Sequence, residues 1–264
     1  MARMTKKLPS FSNVSAGATA TLNMPLGLSY HQVLIDFSGV TLAQMKNIRF
    51  EINGKVVQKW ANGERLNKLN QHYGRGAATA TTLPIWLTRP EMDSLAEQRV
   101  FAFGTSDVQT LSLLIDIDDA AAAPKLTAHA IKGNQAPLGI ITKIKTFPVS
   151  FATSGEQEID NLPLPPTARI AAIHLFSADV SRCELEMNGQ NVFEADKTLI
   201  SKIQTDYGRT PLSTEKLTLD FMLEGDMSQA LVLAGVQDFR LRPVLDNPGS
   251  IDVVVEYLDQ FAGI

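Results

Sequence analysis

The chain is 264 residues long, 44% hydrophobic and 20% charged with both signs mixed, which excludes a disordered segment and supplies apolar material for one large or two ordinary domains of about 100–200 residues each. A formal charge of −4 without Lys/Arg runs makes a poor nucleic-acid surface, and a single cysteine, Cys183, excludes any intramolecular disulfide. No uncharged apolar run reaches the roughly 18 residues that a membrane-spanning helix needs.

Residues 1–14 read as an N-terminal arm that carries Arg3, Lys6 and Lys7 and lacks the apolar core of a signal peptide. Alternation then predicts strands over 19–24, 33–37 and 48–52; in the last, Ile48, Phe50 and Ile52 form a core face against the wet face of Arg49 and Glu51. Asn53-Gly54 signals a hairpin turn, because both residues accept positive φ. Leu66, Leu69 and Tyr73 follow at helical spacing, with Gly74 at the left-handed cap position. Next come a strand over 83–87, a second helical stretch over 89–99 with Pro90 in its first turn, and strands over 108–117 and 126–131. Residues 135–152, with Pro137, Gly139 and Pro148, read as a linker that contains a short strand over 138–144. The remainder predicts strands over 157–162, 170–176, 183–187, 217–223, 239–245 and 251–258. Between the third and fourth of these stand the turn Asn188-Gly189, the cap Asp196, and a helix with Ile200, Ile203 and Tyr207 on one stripe before Gly208.

The second series repeats the first. Asn23-Met24-Pro25-Leu26 recurs as Asn161-Leu162-Pro163-Leu164, the Asn-Gly turn recurs at 188–189, and Tyr73-Gly74-Arg75 recurs as Tyr207-Gly208-Arg209. The offset drifts only from 138 to 134 residues across these matches, which chance does not readily produce. The chain therefore divides into an arm (1–14), a first module (15–134), a linker (135–152) and a second module (153–264). About eight short strands per module, with short helical insertions, predict an all-β fold of two tandem jelly-roll β-sandwiches, a double jelly roll. The helices and the module length of about 120 residues disfavour the immunoglobulin-like alternative.

Signs of catalysis are thin. His31, His72, His129 and His174 show no paired spacing, and GxSxG, P-loop and GxGxxG motifs are absent. Cys183 reads as a small buried hydrophobe. Glu184 and Glu186 alternate with apolar neighbours and face water, which makes them weak candidates for glycoside hydrolysis. Asp116, Asp118 and Asp119 end a strand together; they read either as calcium ligands or as a solvated loop start. The duplicated Tyr-Gly-Arg reads as a helix end rather than a site, since catalytic centres are rarely kept twice. No catalytic or cofactor-binding residue is assigned. Residues 1–134 hold 14 Lys/Arg against 10 Asp/Glu, and residues 135–264 hold 10 against 18, so the halves carry opposite charge and suit a contact of unlike halves.

Several stretches carry a resemblance: Arg89-Pro90-Glu91-Met92, the run from Gln98 to Thr105, the run from Ile117 to Leu126, the run from Arg169 to His174, and the run from Asp220 to Asp226. In these, over nearly the whole chain and in matching order, the sequence resembles the major capsid proteins of corticoviruses, tailless icosahedral phages with a membrane inside the shell. That resemblance implies a double jelly roll of the lineage that includes tectivirus capsid proteins and adenovirus hexon. It implies a non-enzymatic virion protein whose homotrimers form pseudo-hexagonal capsomers over the internal membrane. Neighbouring capsomers and the minor capsid and vertex proteins are the implied partners, without direct nucleic-acid contact. The basic arm could then reach the membrane, and calcium as a structural ion gains weight at the acidic cluster. A glycan-binding or glycan-processing protein on the same scaffold is the alternative; two tryptophans, Trp60 and Trp86, and four tyrosines are few for sugar stacking. A spike or vertex protein is a third reading.

Overall fold

The computed structural model describes residues 3–263. Contacts divide the chain into two units, Met1–Ile144 and Lys145–Ile264. The first contains strands β1 (Met4–Lys7), β2 (Thr19–Asn23), β3 (Tyr30–Ser38), β4 (Met45–Ile52) and β5 (Lys55–Asn62), helix α1 (Gly63–His72), β6 (Thr82–Trp86), helix α2 (Leu95–Val100), β7 (Leu111–Ile117) and β8 (Lys125–Lys132). These pair antiparallel in two sets, β1-β8-β3-β6 and β2-β7-β4-β5. The chain changes sheet at every connection except the β4–β5 hairpin, which is jelly-roll topology.

β9 (Ile141–Phe151) starts in the first unit, where Ile144 pairs with Gln58 of β5 and the Gln58 amide donates to Thr142 O at 2.7 Å. It continues into the second unit, which adds β10 (Gly155–Glu156), β11 (Arg169–Phe176), β12 (Val180–Met187), β13 (Gln190–Asp196), helix α3 (Lys197–Asp206), β14 (Leu217–Asp220), β15 (Leu231–Val232), β16 (Phe239–Leu245) and β17 (Gly249–Asp259). The strand sets here are β9-β17-β11-β14 and β10-β16-β12-β13, with the short β15 beside β11. With β15 set aside, both units have one strand order: first-eighth-third-sixth in one sheet, second-seventh-fourth-fifth in the other. The expected double jelly roll is therefore present in its connectivity as well as its strand content.

Each core follows from alternation. Leu111, Leu113, Ile115 and Ile117 of β7 are all buried, as are Ile48, Phe50 and Ile52 of β4, while Arg49 and Glu51 between them are half-buried. Phe50 meets Trp60 and Phe103 edge-on at ring distances of 6.4 and 5.8 Å. Each such side chain contributes about 1.5–3 kcal/mol by leaving water. In the second unit, Cys183, Leu185, Ile173, Val255 and Leu241 from four strands meet in the corresponding core.

Both Asn-Gly turns have the backbone their residues predict, with φ of 49° and 77° at Asn53-Gly54 and 48° and 77° at Asn188-Gly189. The asparagines also do a second job. Asn53 Oδ1 accepts from Gln109 N and Thr110 N at 2.8 and 3.0 Å, and Asn188 Oδ1 accepts from Gln237 N and Asp238 N at 2.9 and 3.1 Å. Each turn thus anchors the loop that leads into the neighbouring strand, β7 or β16. Asn53→Ala loses the acceptor and places an alanine at positive φ; a loss of about 1–2 kcal/mol is expected in urea melts, and an unchanged midpoint would contradict the double role.

The structure departs from the sequence reading in particular places. The presumed arm is largely ordered: Met4–Lys7 pairs along β8, and Leu8 and Phe11 are buried. Met1 and Ala2 of that arm lie outside the described residues. β5 and β13 escape the alternation test because each hairpin carries a register shift, at Phe50/Glu51 and at Leu185/Glu186, and a bulge breaks period two. The helix expected over 89–99 begins only at Leu95, capped by Ser94, because Arg89 and Glu91 are drawn into burial instead. Of the strand expected over 157–162, only Ile159 bridges, to Leu241, and β14 stops at Asp220, whose carboxylate accepts from Met222 N at 3.0 Å. The strand inside the linker runs from Ile141 to Phe151 rather than over 138–144, and the boundary between the units falls within that linker.

Candidate functional site

Helices α1 and α3 occupy the same place in the two units, after the fifth strand, and each is held by matching groups. Asn62 Oδ1 caps α1 by accepting from Arg65 N at 2.8 Å, and Asp196 Oδ1 caps α3 by accepting from Leu199 N at 2.8 Å. The buried amide of Asn70 donates to Pro84 O at 2.8 Å, and that of Gln204 donates to Thr218 O at 2.7 Å, which ties each helix to the strand that follows it. Gly74 and Gly208 turn at φ of 66° and 75°, and the arginines after them turn inward. Arg209 donates to Asp220 Oδ2 at 2.9 Å and to Met222 O at 3.0 Å. Arg75 grips Glu91 with both ends of its guanidinium, its Nε lying 2.8 Å from Oε2, and Arg89 Nε lies 3.0 Å from the other oxygen. The Tyr73 ring is covered by Arg75 at 4.2 Å and Arg89 at 5.1 Å. Burial alone would push the Glu91 carboxyl up; the two guanidiniums outweigh it and hold the group below the usual carboxylate range. The Tyr-Gly-Arg copies are thus structural helix ends.

The two helices differ in what they bury. Leu66, Leu69 and Tyr73 of the first copy are buried as expected. In α3 the expected stripe is not buried as a whole: only Ile200 and Gln204 are, while Ile203 and Tyr207 are 39% and 47% exposed. Leu199, at 49%, joins them at i, i+4 and i+8, and Val192 of the edge strand β13 is exposed as well. Leu199, Ile203 and Tyr207 thus form an outward apolar stripe on α3. Its signal was present in the sequence as a second apolar series offset by one residue from Ile200.

The carboxylates of the acidic cluster have separate partners. Asp116 accepts from Thr19 Oγ1 at 2.8 Å, Arg49 at 3.1 Å and Asn47 at 3.0 Å, and these partners overcome partial burial to lower its pKa. Asp118 pairs with Lys46 and accepts from Ala120 N at 2.8 Å, and Asp119 points towards Gly17. Among the described residues no three His, Cys, Asp or Glu side chains are grouped to hold a metal ion, and Asp116, Asp118 and Asp119 turn to different neighbours. Long-range partners hold Asp116 and Asp118.

The other candidates are absorbed by structure too. Burial pushes the Cys183 thiol up, away from reactivity. Glu184 pairs with Arg182, and Glu186 accepts from Arg242 at 2.7 Å. His174 is buried, with Nδ1 2.9 Å from Thr218 Oγ1 and 3.2 Å from Lys216 Nζ, and with Nε2 3.2 Å from Glu256. His129 lies 3.2 Å from Asp36 on the neighbouring strand.

Two tandem sandwiches of one strand order, in which the candidate reactive groups serve as struts, define the double jelly-roll class of viral coat proteins. The family model described as the N-terminal domain of viral coat protein P2 matches residues 5–135, and that described as its C-terminal domain matches residues 141–261. The chain belongs to the P2 family of viral coat proteins. It is 34% identical over 262 residues to the major capsid protein P2 of Pseudoalteromonas phage PM2, covering 95% of both chains. The crystal structure of P2 from bacteriophage PM2 matches with a TM-score of 0.95 at 33% identity, covering 99% of this chain and 98% of that one. The Faustovirus major capsid protein matches with a TM-score of 0.63 at 8% identity, over 98% of this chain and 90% of that one, a likeness of fold alone. The chain is accordingly a structural, capsid-forming protein of the virion whose copies associate with one another.

Proposed function

We propose that three copies associate into a pseudo-hexagonal capsomer, and that capsomers tile an icosahedral shell around an internal membrane, meeting minor capsid and vertex proteins but not nucleic acid. The observation that carries this reading is the strand order shared by both units, since three chains then supply six like blocks. Successive contacts around such a ring are nearly equivalent, and threefold closure imitates sixfold shape. The exposed stripe Leu199, Ile203 and Tyr207 supplies an apolar contact. The opposite charges of residues 1–134 and 135–264 suit a ring in which the first unit of one copy meets the second unit of the next. Arg3, Lys6 and Lys7 are exposed on and beside β1, where each would gain about 1 kcal/mol near anionic headgroups.

Sedimentation of the purified chain tests the reading. A particle of three times 28.8 kDa is expected. It should loosen as salt shortens the screening length from about 10 Å at 0.1 M to about 3 Å at 1 M. A monomer at all concentrations would overturn the trimer, and a trimer indifferent to salt would remove the charge contribution.

A further inference from the structure

At one end of the first unit, two adjoining clefts of 240 and 330 Å3 share the same three basic side chains, Arg3, His31 and Arg99. Arg3 precedes β1, His31 lies on β3 and Arg99 on α2, so three separate elements deliver the charges to one place. No aspartate or glutamate lines either cleft. Three other cations of this unit are matched to carboxylates: Arg49 to Asp116, Lys46 to Asp118, Arg75 to Glu91. Among the described residues Arg3 and Arg99 have no such acceptor. His31 feels the arrangement: burial, then Arg99, then Arg3 each push its pKa down, as expected of a group crowded by like charge.

The cleft is built rather than incidental. A Cβ on Gly133 would stand 2.5 Å from His31 Nε2 and 2.7 Å from Ser29 Oγ, so a glycine there is what lets the imidazole seat against the loop after β8. Trp86, in the wall of the smaller cleft, has its indole N–H buried and without an acceptor among the described residues.

We propose that this cleft binds a phosphate group, held by Arg3, Arg99 and His31 with the Trp86 indole beside it. Two guanidinium forks and an imidazole offer donors from several directions, more than the two oxygens of a carboxylate or a phosphodiester can satisfy; inorganic phosphate or a phosphomonoester presents at least three terminal oxygens and enough charge for both arginines. A free phosphate and the phosphomonoester headgroup of phosphatidic acid share this chemistry. The bound anion favours the imidazolium, so at a given charge on the phosphate binding tightens as His31 protonates and, reciprocally, raises the His31 pKa.

The test is an NMR titration of the histidines in the full chain, with the His31 signal assigned by its loss in His31→Asn. Added inorganic phosphate should move the His31 titration midpoint up by about one pH unit. Arg3→Gln with Arg99→Gln, both exposed positions, should weaken phosphate binding by roughly tenfold or more per arginine. No movement of His31, or the same movement in the double variant, overturns the site. Vesicles of phosphatidic acid in phosphatidylcholine then separate the sources. Vesicle binding that falls by the same factor in the double variant assigns the headgroup, whereas vesicle binding that is absent or unaltered assigns the free anion.

Discussion

Glu91→Ala should lower the unfolding free energy by about 3–5 kcal/mol, because it leaves Arg75 and Arg89 facing each other across a buried site without their counter-charge. That is a large part of the roughly 5–15 kcal/mol that holds a domain folded. The trio also makes part of the stability depend on pH. The folded carboxyl has a depressed pKa, so its contribution is complete above the unfolded value of about 4.3 and fades as pH falls through the folded value. Urea melts of both proteins at neutral and acid pH check this. The variant should differ most from the parent at neutral pH, and the gap should narrow in acid. Equal midpoints at neutral pH would show that the trio contributes nothing net.

The second large effect concerns α3. Leu199→Asp with Ile203→Asp should leave the fold intact, since exposed positions away from special contacts change stability by about 0.5 kcal/mol or less each. The proposed trimer should fail. If each side chain anchors the contact with about 2 kcal/mol, the pair weakens association roughly a thousandfold. Circular dichroism melts and sedimentation on the same samples separate the two quantities. A double variant that still sediments as the trimer would move the interface off this helix. Ile200→Asp is the opposite control: on the buried side of the same helix, it should unfold the second unit rather than disperse the copies.

Duplication was legible because its markers are local. Asn-Gly needs positive φ at two adjacent residues, and Tyr-Gly-Arg needs a left-handed residue after a helical turn; both needs are met within a few residues at both copies. Most strands were legible by alternation, and β16 coincides with its expected bounds. β5 and β13 were not, since each pairs through a bulge that shifts the phase of its side chains. The arm became β1 because β8 offers its edge to Met4–Lys7 from more than a hundred residues away, a partner that no local pattern announces.

The candidate site was legible in its residue types and not in its partners. Asp116, Asp118 and Asp119 look alike along the chain, yet Arg49 and Asn47 on a different strand claim Asp116 and Lys46 claims Asp118. Arg75 and Glu91 lie 16 residues apart and become a buried pair only once α1 and the loop before α2 close together. The sequence by itself determined the two-copy jelly-roll pattern, its turns and its helix ends, because backbone propensity and periodicity act over a few residues. The tertiary structure decided which charges are buried together, which face of α3 stays in water and which basic groups share a cleft, because burial and pairing depend on elements that only folding brings into contact.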